Sequence, residues 1–249
     1  NKVTGNCRDN YMKAMLLAAG YGSRLGEITQ KKPKCLVTVG GQPILGHWLE
    51  KLDQLVVNKF YINTHYLSEQ VEEYVNQHPL REKIETLYED QLLGTAGALN
   101  KHWHLFDEAT FVVHVDNYCH DNLDGLIDTF HNRPAKALMS FLVFKSSSPS
   151  TCGVVTTDKN GLMSGFYEKQ KNPPSNIASG AVFLCSDQFF NFFGEIFNSQ
   201  TDFSAEIMPL MRKKASCYKT NSFFIDIGTP ENLQLAEQFT AFQRETTVI

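Results

Sequence analysis

Alternation is the feature that most restricts this chain. From Met12 to about Pro149, short apolar runs of strand length take turns with segments whose apolar residues recur three and four apart. Residues 14–18 (AMLLA) are wholly apolar, as expected of a strand buried on both faces. Ile44, Leu45, Trp48, Leu49, Leu52 and Leu55 then follow helical spacing. Strands are expected near 60–63, 84–88, 111–115 and 137–144, with helices opened by Ser68, over 94–99 and over 123–131. Strands separated by helices of this length become parallel neighbours joined by right-handed crossovers. The expected fold is therefore α/β: a Rossmann-like, open, mostly parallel twisted sheet flanked by helices.

After Pro149 the rhythm loosens. Strands are expected over 153–156, 162–167 and 178–184, interrupted by the polar stretch KQKNPPSN at 169–176. Order returns with a strand at 223–225 and a helix opened by Thr229-Pro230-Glu231, an N-cap followed by a residue suited to the first helical position. We expect one domain over 12–249, its nucleotide-type half at 12–149 and a smaller mixed-strand half at 150–249. Residues 1–11 are polar and aperiodic and are read as a leader or remnant outside the fold.

Composition narrows the class. Apolar residues make up 42% of the 249 positions and charged ones 20%, which suits a packed core and argues against disorder. The net charge of −4 speaks against a surface built to grip nucleic acid. No apolar run approaches the roughly 20 residues of a membrane-spanning helix, so no membrane insertion is expected. Six cysteines stand singly without a CxxC pair, which leads us to expect reduced thiols in a cytoplasmic protein.

The most informative stretch is LAAGYGSRL at 17–25, directly after the first buried strand, where a parallel sheet presents its ligand crevice. Glycines there let backbone N–H groups approach an anion. A dinucleotide fingerprint would need a glycine at Leu25 and an acid about twenty residues on, and neither is present; GxxxxGK[ST] is absent too. Instead Arg24 precedes Lys31, Lys32 and Lys34, a set that suits a polyphosphate; a solvated basic loop is the plainer alternative.

With KPKCLVTVGGQPIL (32–45), LLGTAGAL (92–99), VDN (115–117), CGVV (152–155), FYEK (166–169), ASGAVF (178–183) and DIGTPENL (226–233) following in order, the chain resembles the nucleotidyltransferases that join a nucleoside triphosphate to a sugar 1-phosphate. Mannose-1-phosphate and heptose-1-phosphate guanylyltransferase-like members are nearest in flavour. The resemblance implies in-line attack by a sugar-phosphate oxygen on the α-phosphorus, expelling pyrophosphate, with Mg²⁺ (or Mn²⁺) as cofactor. It also implies that Leu17, Ala19, Gly20, Gly22, Ser23 and Arg24 wrap the nucleotide, Arg24 countering the leaving charge, while Lys34 reaches a reacting phosphate. Gly94 and Thr95 would hold base and ribose, with Gln91 or Glu89 at the base edge. Glu168 would accept from sugar hydroxyls and Lys169 bind the sugar phosphate, although Gln170 stands where the family usually has proline. Gly153, Asn176 and Gly180 would line the sugar pocket, with Ser179 as a further polar candidate.

Asp116 and Asp226 each close an apolar strand, FVVHV and FFI. Acids at strand ends face the crevice, and two of them from distant segments suit an octahedral Mg²⁺ that also takes phosphate oxygens; the alternative is that each caps a turn. A surface pair is the alternative for Glu168 and Lys169.

Other features carry less. His102, His104, His114 and His120 lack zinc spacing, and His114 is expected to be a satisfied core histidine. Cys119 has no identifiable base. Phe189, Phe190, Phe192 and Phe193 read as one half-buried helix face, or as a subunit contact if exposed. The expected partners are small molecules only, an NTP and a sugar 1-phosphate, with a homo-oligomer left open. GTP with mannose or manno-heptose 1-phosphate leads. Alternatives are dTTP, UTP or CTP with another sugar 1-phosphate or phosphocholine, or a non-catalytic regulatory subunit. The last expectation is that no further domain follows the final helix.

Overall fold

The computed structural model describes residues 11–196 and 199–247. Residues 1–10 of the expected leader lie outside the described residues. In chain order the strands are β1 (Met12–Leu17), β2 (Thr38–Val39), β3 (Gln42–Pro43), β4 (Val57–Thr64), β5 (Ile84–Tyr88), β6 (Thr110–His114), β7 (Asn117–Cys119), β8 (Met139–Lys145), β9 (Gly153–Thr157), β10 (Met163–Glu168), β11 (Ile177–Cys185), β12 (Ala215–Lys219) and β13 (Phe224–Asp226). The α-helices are α1 (Glu27–Gln30), α2 (Ile44–Asp53), α3 (Ser68–Gln77), α4 (Gly94–His102), α5 (Asp124–His131), α6 (Asp187–Ile196) and α7 (Pro230–Thr247).

Among the described residues, nine strands form one sheet. Its first half is parallel: β6, β1, β4 and β5 lie side by side, joined through helices as the apolar alternation dictates. The second half adds antiparallel strands, β11 against β6 and β8 against β11, with β12 parallel to β8 and the β9–β10 hairpin attached to β11. The expected mostly parallel α/β sheet with a mixed second part is what the chain forms. Strand β12 (ASCYK) escaped the sequence reading because its residues alternate in neither polarity nor size. The strand expected at 223–225 forms as β13, whereas its partner β7, three residues long, escaped that reading.

Both faces of the sheet are covered. On one, Leu16, Phe60, Ile62, Phe111 and Val113 pack against Trp48, Leu49 and Leu52 of α2. On the other, Met15, Leu17, Val112 and Phe183 meet Leu99 of α4 and Phe189, Phe190 and Phe193 of α6. The phenylalanine-rich run is thus a core-facing helix stripe, with Asn191 exposed on its outer side. The carboxyl ends of β1, β4 and β6 converge on one rim, and the site is built there.

Candidate active site

A pocket of about 190 Å³ opens at that rim, walled by Leu17, Ala18, Ala19 and Gly20 after β1, Asn63 of β4, Leu92, Gly94 and Thr95 at the start of α4, His114, Val115 and Asp116 after β6, and Lys34 and Cys35. The loop after β1 turns through Gly22, whose φ of +66° suits glycine, and whose α-carbon leaves only 3.0 Å between an added Cβ and Lys34 Cβ. Thr29 Oγ1 donates to the Gly22 carbonyl at 2.9 Å, and Leu25 N–H closes the turn on it. Ser23 and Arg24 follow on the exposed side.

Lys34 is buried, and its Nζ lies 2.5 Å from Asp116 Oδ2. Asp116 is in turn fixed by β7 and β13: Asn117 pairs with Asp226 across the ladder, and Ile227 N–H donates to the Asp116 carbonyl at 2.8 Å. Trp48 Nε1 donates to the Asn117 carbonyl at 2.9 Å, and Asn117 Nδ2 to that of His114 at 3.0 Å, so α2 supports this corner from behind. Asp226 Oδ1 accepts the Gly228 N–H at 2.6 Å, and Asp226 Oδ2 faces Arg24 Nη2 at 3.5 Å. Both partners of that last pair are substantially exposed, so it steadies the loop little in water.

The two carboxylates are shifted in opposite directions. Burial and the neighbouring Asp116 charge raise the pKa of Asp226. Burial works in the same upward direction on Asp116, yet the ammonium of Lys34 outweighs it and holds Asp116 below the usual carboxylate range. Two crowded acids beside two cations form an oxygen-donor corner that fits a hard divalent cation. Among the described residues no cluster of three or more His, Cys, Asp or Glu side chains is poised for a metal, so such an ion would complete its shell with oxygens from a bound phosphate or water.

Behind the pocket runs a buried polar relay. Asn63 Oδ1 accepts the Ala18 N–H at 2.7 Å, Asn63 Nδ2 donates to Glu89 Oε1 at 2.8 Å, and Glu89 Oε2 accepts the Leu93 N–H at 3.0 Å. Glu89 is fully buried, and both its oxygens are used. It therefore corrects the expectation of a base-edge contact: it ties the loop after β1 to the start of α4. Gln91 is exposed and outside the pocket wall. Asn63 was missed as a functional residue, though it is a polar residue at the end of an apolar strand, the same signal that marked Asp116.

Gly94, at φ +75°, sits where a Cβ would strike the Thr201 carbonyl. Thr95 Oγ1 accepts the Phe203 N–H at 2.9 Å while also walling the pocket. His114 departs from expectation: it lines the pocket, and its Nε2 is buried with no hydrogen-bond partner among the described residues. Cys119 is buried, which pushes its thiol up to about 12 and leaves no thiolate for chemistry.

The residues expected at the sugar side form a separate group on the antiparallel strands, outside the wall of this pocket. Glu168 Oε1 lies 3.3 Å from Lys169 Nζ, and Lys169, at φ +46°, donates its N–H to the Cys152 carbonyl at 3.0 Å. Gly153 is closely packed: an added Cβ would fall 2.4 Å from Phe166 Cζ and 2.7 Å from Glu168 Oε2. Gly180 lies under Leu142 and Phe224, 2.6 and 2.9 Å from where its Cβ would be. Ser179 Oγ accepts the Ala181 N–H at 3.2 Å, and exposed Asn176 accepts the Ser146 N–H through its carbonyl at 2.9 Å.

Comparison with known proteins gives this arrangement a context. Residues 13–243 match the family profile described as nucleotidyl transferase. Among curated proteins, the chain is 27% identical over 232 residues to the bifunctional protein GlmU of Methanocaldococcus jannaschii, covering 92% of this chain and 54% of the relative. It is 30% identical over 229 residues to the mannose-1-phosphate guanylyltransferase catalytic subunit beta of Xenopus tropicalis, covering 89% and 62%. The chain thus spans between about half and three fifths of the length of these relatives. In fold it is similar to HddC of Yersinia pseudotuberculosis complexed with GMP-PN, at a TM-score of 0.75 and 20% identity, covering 91% of this chain and 98% of that one.

Proposed function

The chain belongs to the nucleotidyl transferase family, and from that membership and the rim geometry we propose that it transfers a nucleoside monophosphate from an NTP to a sugar 1-phosphate. The phosphate oxygen of the sugar bonds to the α-phosphorus, the bond between α-phosphorus and its bridging oxygen breaks, and pyrophosphate leaves. The observation that carries this reading is the buried Lys34–Asp116 pair set against Asp226 beneath the glycine loop. Two polyanions can meet in line only where their repulsion is answered, and this corner offers fixed charges of both signs and no activated nucleophile.

In this reading Leu17, Ala19, Gly20, Gly22 and Ser23 present the loop to the triphosphate, and Arg24 at the mouth faces the departing pyrophosphate. Lys34 offers its ammonium to the reacting phosphate while Asp116 holds it in place. Gly94 and Thr95 wall the nucleoside end. Glu168, Lys169, Gly153, Asn176 and Gly180 belong to the sugar-phosphate side. Asp116 and Asp226 would hold Mg²⁺ or Mn²⁺, which when bound supplies charge neutralisation at phosphate oxygens.

GTP with mannose or manno-heptose 1-phosphate is the favoured pair, supported by the guanylyltransferase name of one relative and the GMP-PN complex of one fold neighbour. Among the described residues no helix is long and apolar enough to cross a membrane. A cytoplasmic setting is our reading, supported by the five described cysteines, all of them free. Pyrophosphate release, measured over a grid of five NTPs and several sugar 1-phosphates with Mg²⁺, tests the proposal. One strongly preferred pair supports it and names the substrates; release from no pair overturns it.

A further inference from the structure

His114 closes β6 beside Leu17 of β1, on the sheet face it shares with Val112, an apolar surface continued by the Phe183 ring, 6.3 Å away between centroids. A leucine or phenylalanine would match the apolar character of that face. Instead the imidazole forms pocket wall between Thr95 and Asp116, and one of its nitrogens is buried with no partner among the described residues. Native chains rarely tolerate such an orphan unless a bound group relieves it.

The charged groups facing His114 are Asp116, Asp202, Lys34 and Asp226. An imidazole nitrogen can donate to or accept from a hydroxyl, which carries both a proton and lone pairs. The phosphates already have Arg24 and Lys34. We propose that His114 is a specificity-determining residue that hydrogen-bonds a sugar hydroxyl of the bound substrate. The acceptor sugar is the favoured source because β6 borders the antiparallel strands, and the ribose of the nucleotide offers the same chemistry. The inference rests on the transferase reading.

The test is steady-state pyrophosphate release by the whole chain, with NTP and sugar 1-phosphate varied separately for the wild type, His114→Leu and His114→Gln. His114→Leu is expected to raise KM for the sugar 1-phosphate about tenfold, the worth of one net hydrogen bond, with the NTP KM unchanged and His114→Gln recovering most of the loss. A 1-phosphate lacking one ring hydroxyl should then lose about tenfold with the wild type and nothing further with His114→Leu. A rise confined to the NTP KM, with preference for ribo- over 2′-deoxy-NTP abolished, moves the hydroxyl to the ribose and keeps the role. Unchanged KM values for both substrates in a variant that melts like the wild type overturn it. If His114→Leu fails to fold, the same comparison is read from His114→Gln against His114→Asn. Absence of turnover in the wild type is a failure of the transferase reading alone; calorimetric binding of each substrate to wild type and His114→Leu then decides the role of His114.

Discussion

Lys34 and Asp116, 82 positions apart in sequence, meet at 2.5 Å beneath the glycine loop, the lysine buried and the aspartate half-buried. The contact explains why an ammonium stands in a low-polarity wall: Asp116 offsets its burial, and Lys34 in return keeps Asp116 ionised. Replacing Lys34 by alanine should lower kcat/KM by roughly 10²–10³, the usual cost of removing one fixed electrostatic partner of a reacting group. Lys34→Arg should restore little, because a planar fork does not occupy the place of a point charge. Pyrophosphate-release kinetics check both.

The paired acids respond oppositely. Asp226, raised by burial and by Asp116, costs stability once pH climbs above the ordinary carboxylate range, since the folded state must surrender a proton it would keep. Asp116, lowered by Lys34 against its burial, contributes stability above that range and loses it as pH falls through its folded value. At pH 7, Asp226→Asn should therefore leave Tm unchanged or raise it by about 1–2 °C, a small effect because the side chain is 44% exposed. Asp116→Asn should lower Tm by leaving Lys34 unpaired. Thermal melts between pH 4 and 8 separate the two.

Glu89 acts at a distance from substrate. Glu89→Ala strands Asn63 Nδ2 and the Leu93 N–H, both in a buried setting, and should cost about 2–3 kcal/mol of stability. Because the same relay positions the Ala18 N–H, the NTP KM should rise about tenfold while kcat changes little. Chemical denaturation and saturation kinetics check the two halves of this expectation.

Cys35, Cys119 and Cys217 are pushed up to about 12 by burial, and Cys185 is raised by the same cause. At pH 8 such thiols hold roughly one thiolate in ten thousand. Iodoacetamide should leave these four unmodified in the native protein and modify them after denaturation, as read by peptide mass spectrometry. Rapid native labelling of Cys35, which lines the pocket, would contradict the packing described for the Lys34 loop.

Much of this was legible in the residues themselves. Apolar runs such as AMLLA point to burial on both faces, as a parallel sheet between helices provides, and Asp116 announced itself as a charge closing such a run. What escaped was whatever depends on tertiary partners. Glu89 looked like a base contact until both its oxygens were found spent on Asn63 and Leu93. His114 looked like a satisfied core histidine, because a strand sequence cannot show that its last side chain finds no partner among the described residues. Gly153 and Gly180 likewise owe their identity to Glu168, Leu142 and Phe224, residues that only folding brings near.

The most direct test of the central claim follows label through one turnover. With NTP labelled at the α-phosphate and the preferred sugar 1-phosphate, label should appear in the nucleotide-sugar product, and γ-label should appear in pyrophosphate. Asp116→Asn should slow both together by orders of magnitude. Label released from the γ-position as inorganic phosphate, or a transfer rate untouched by Asp116→Asn, would contradict the assignment of this rim as a nucleotidyl-transfer site.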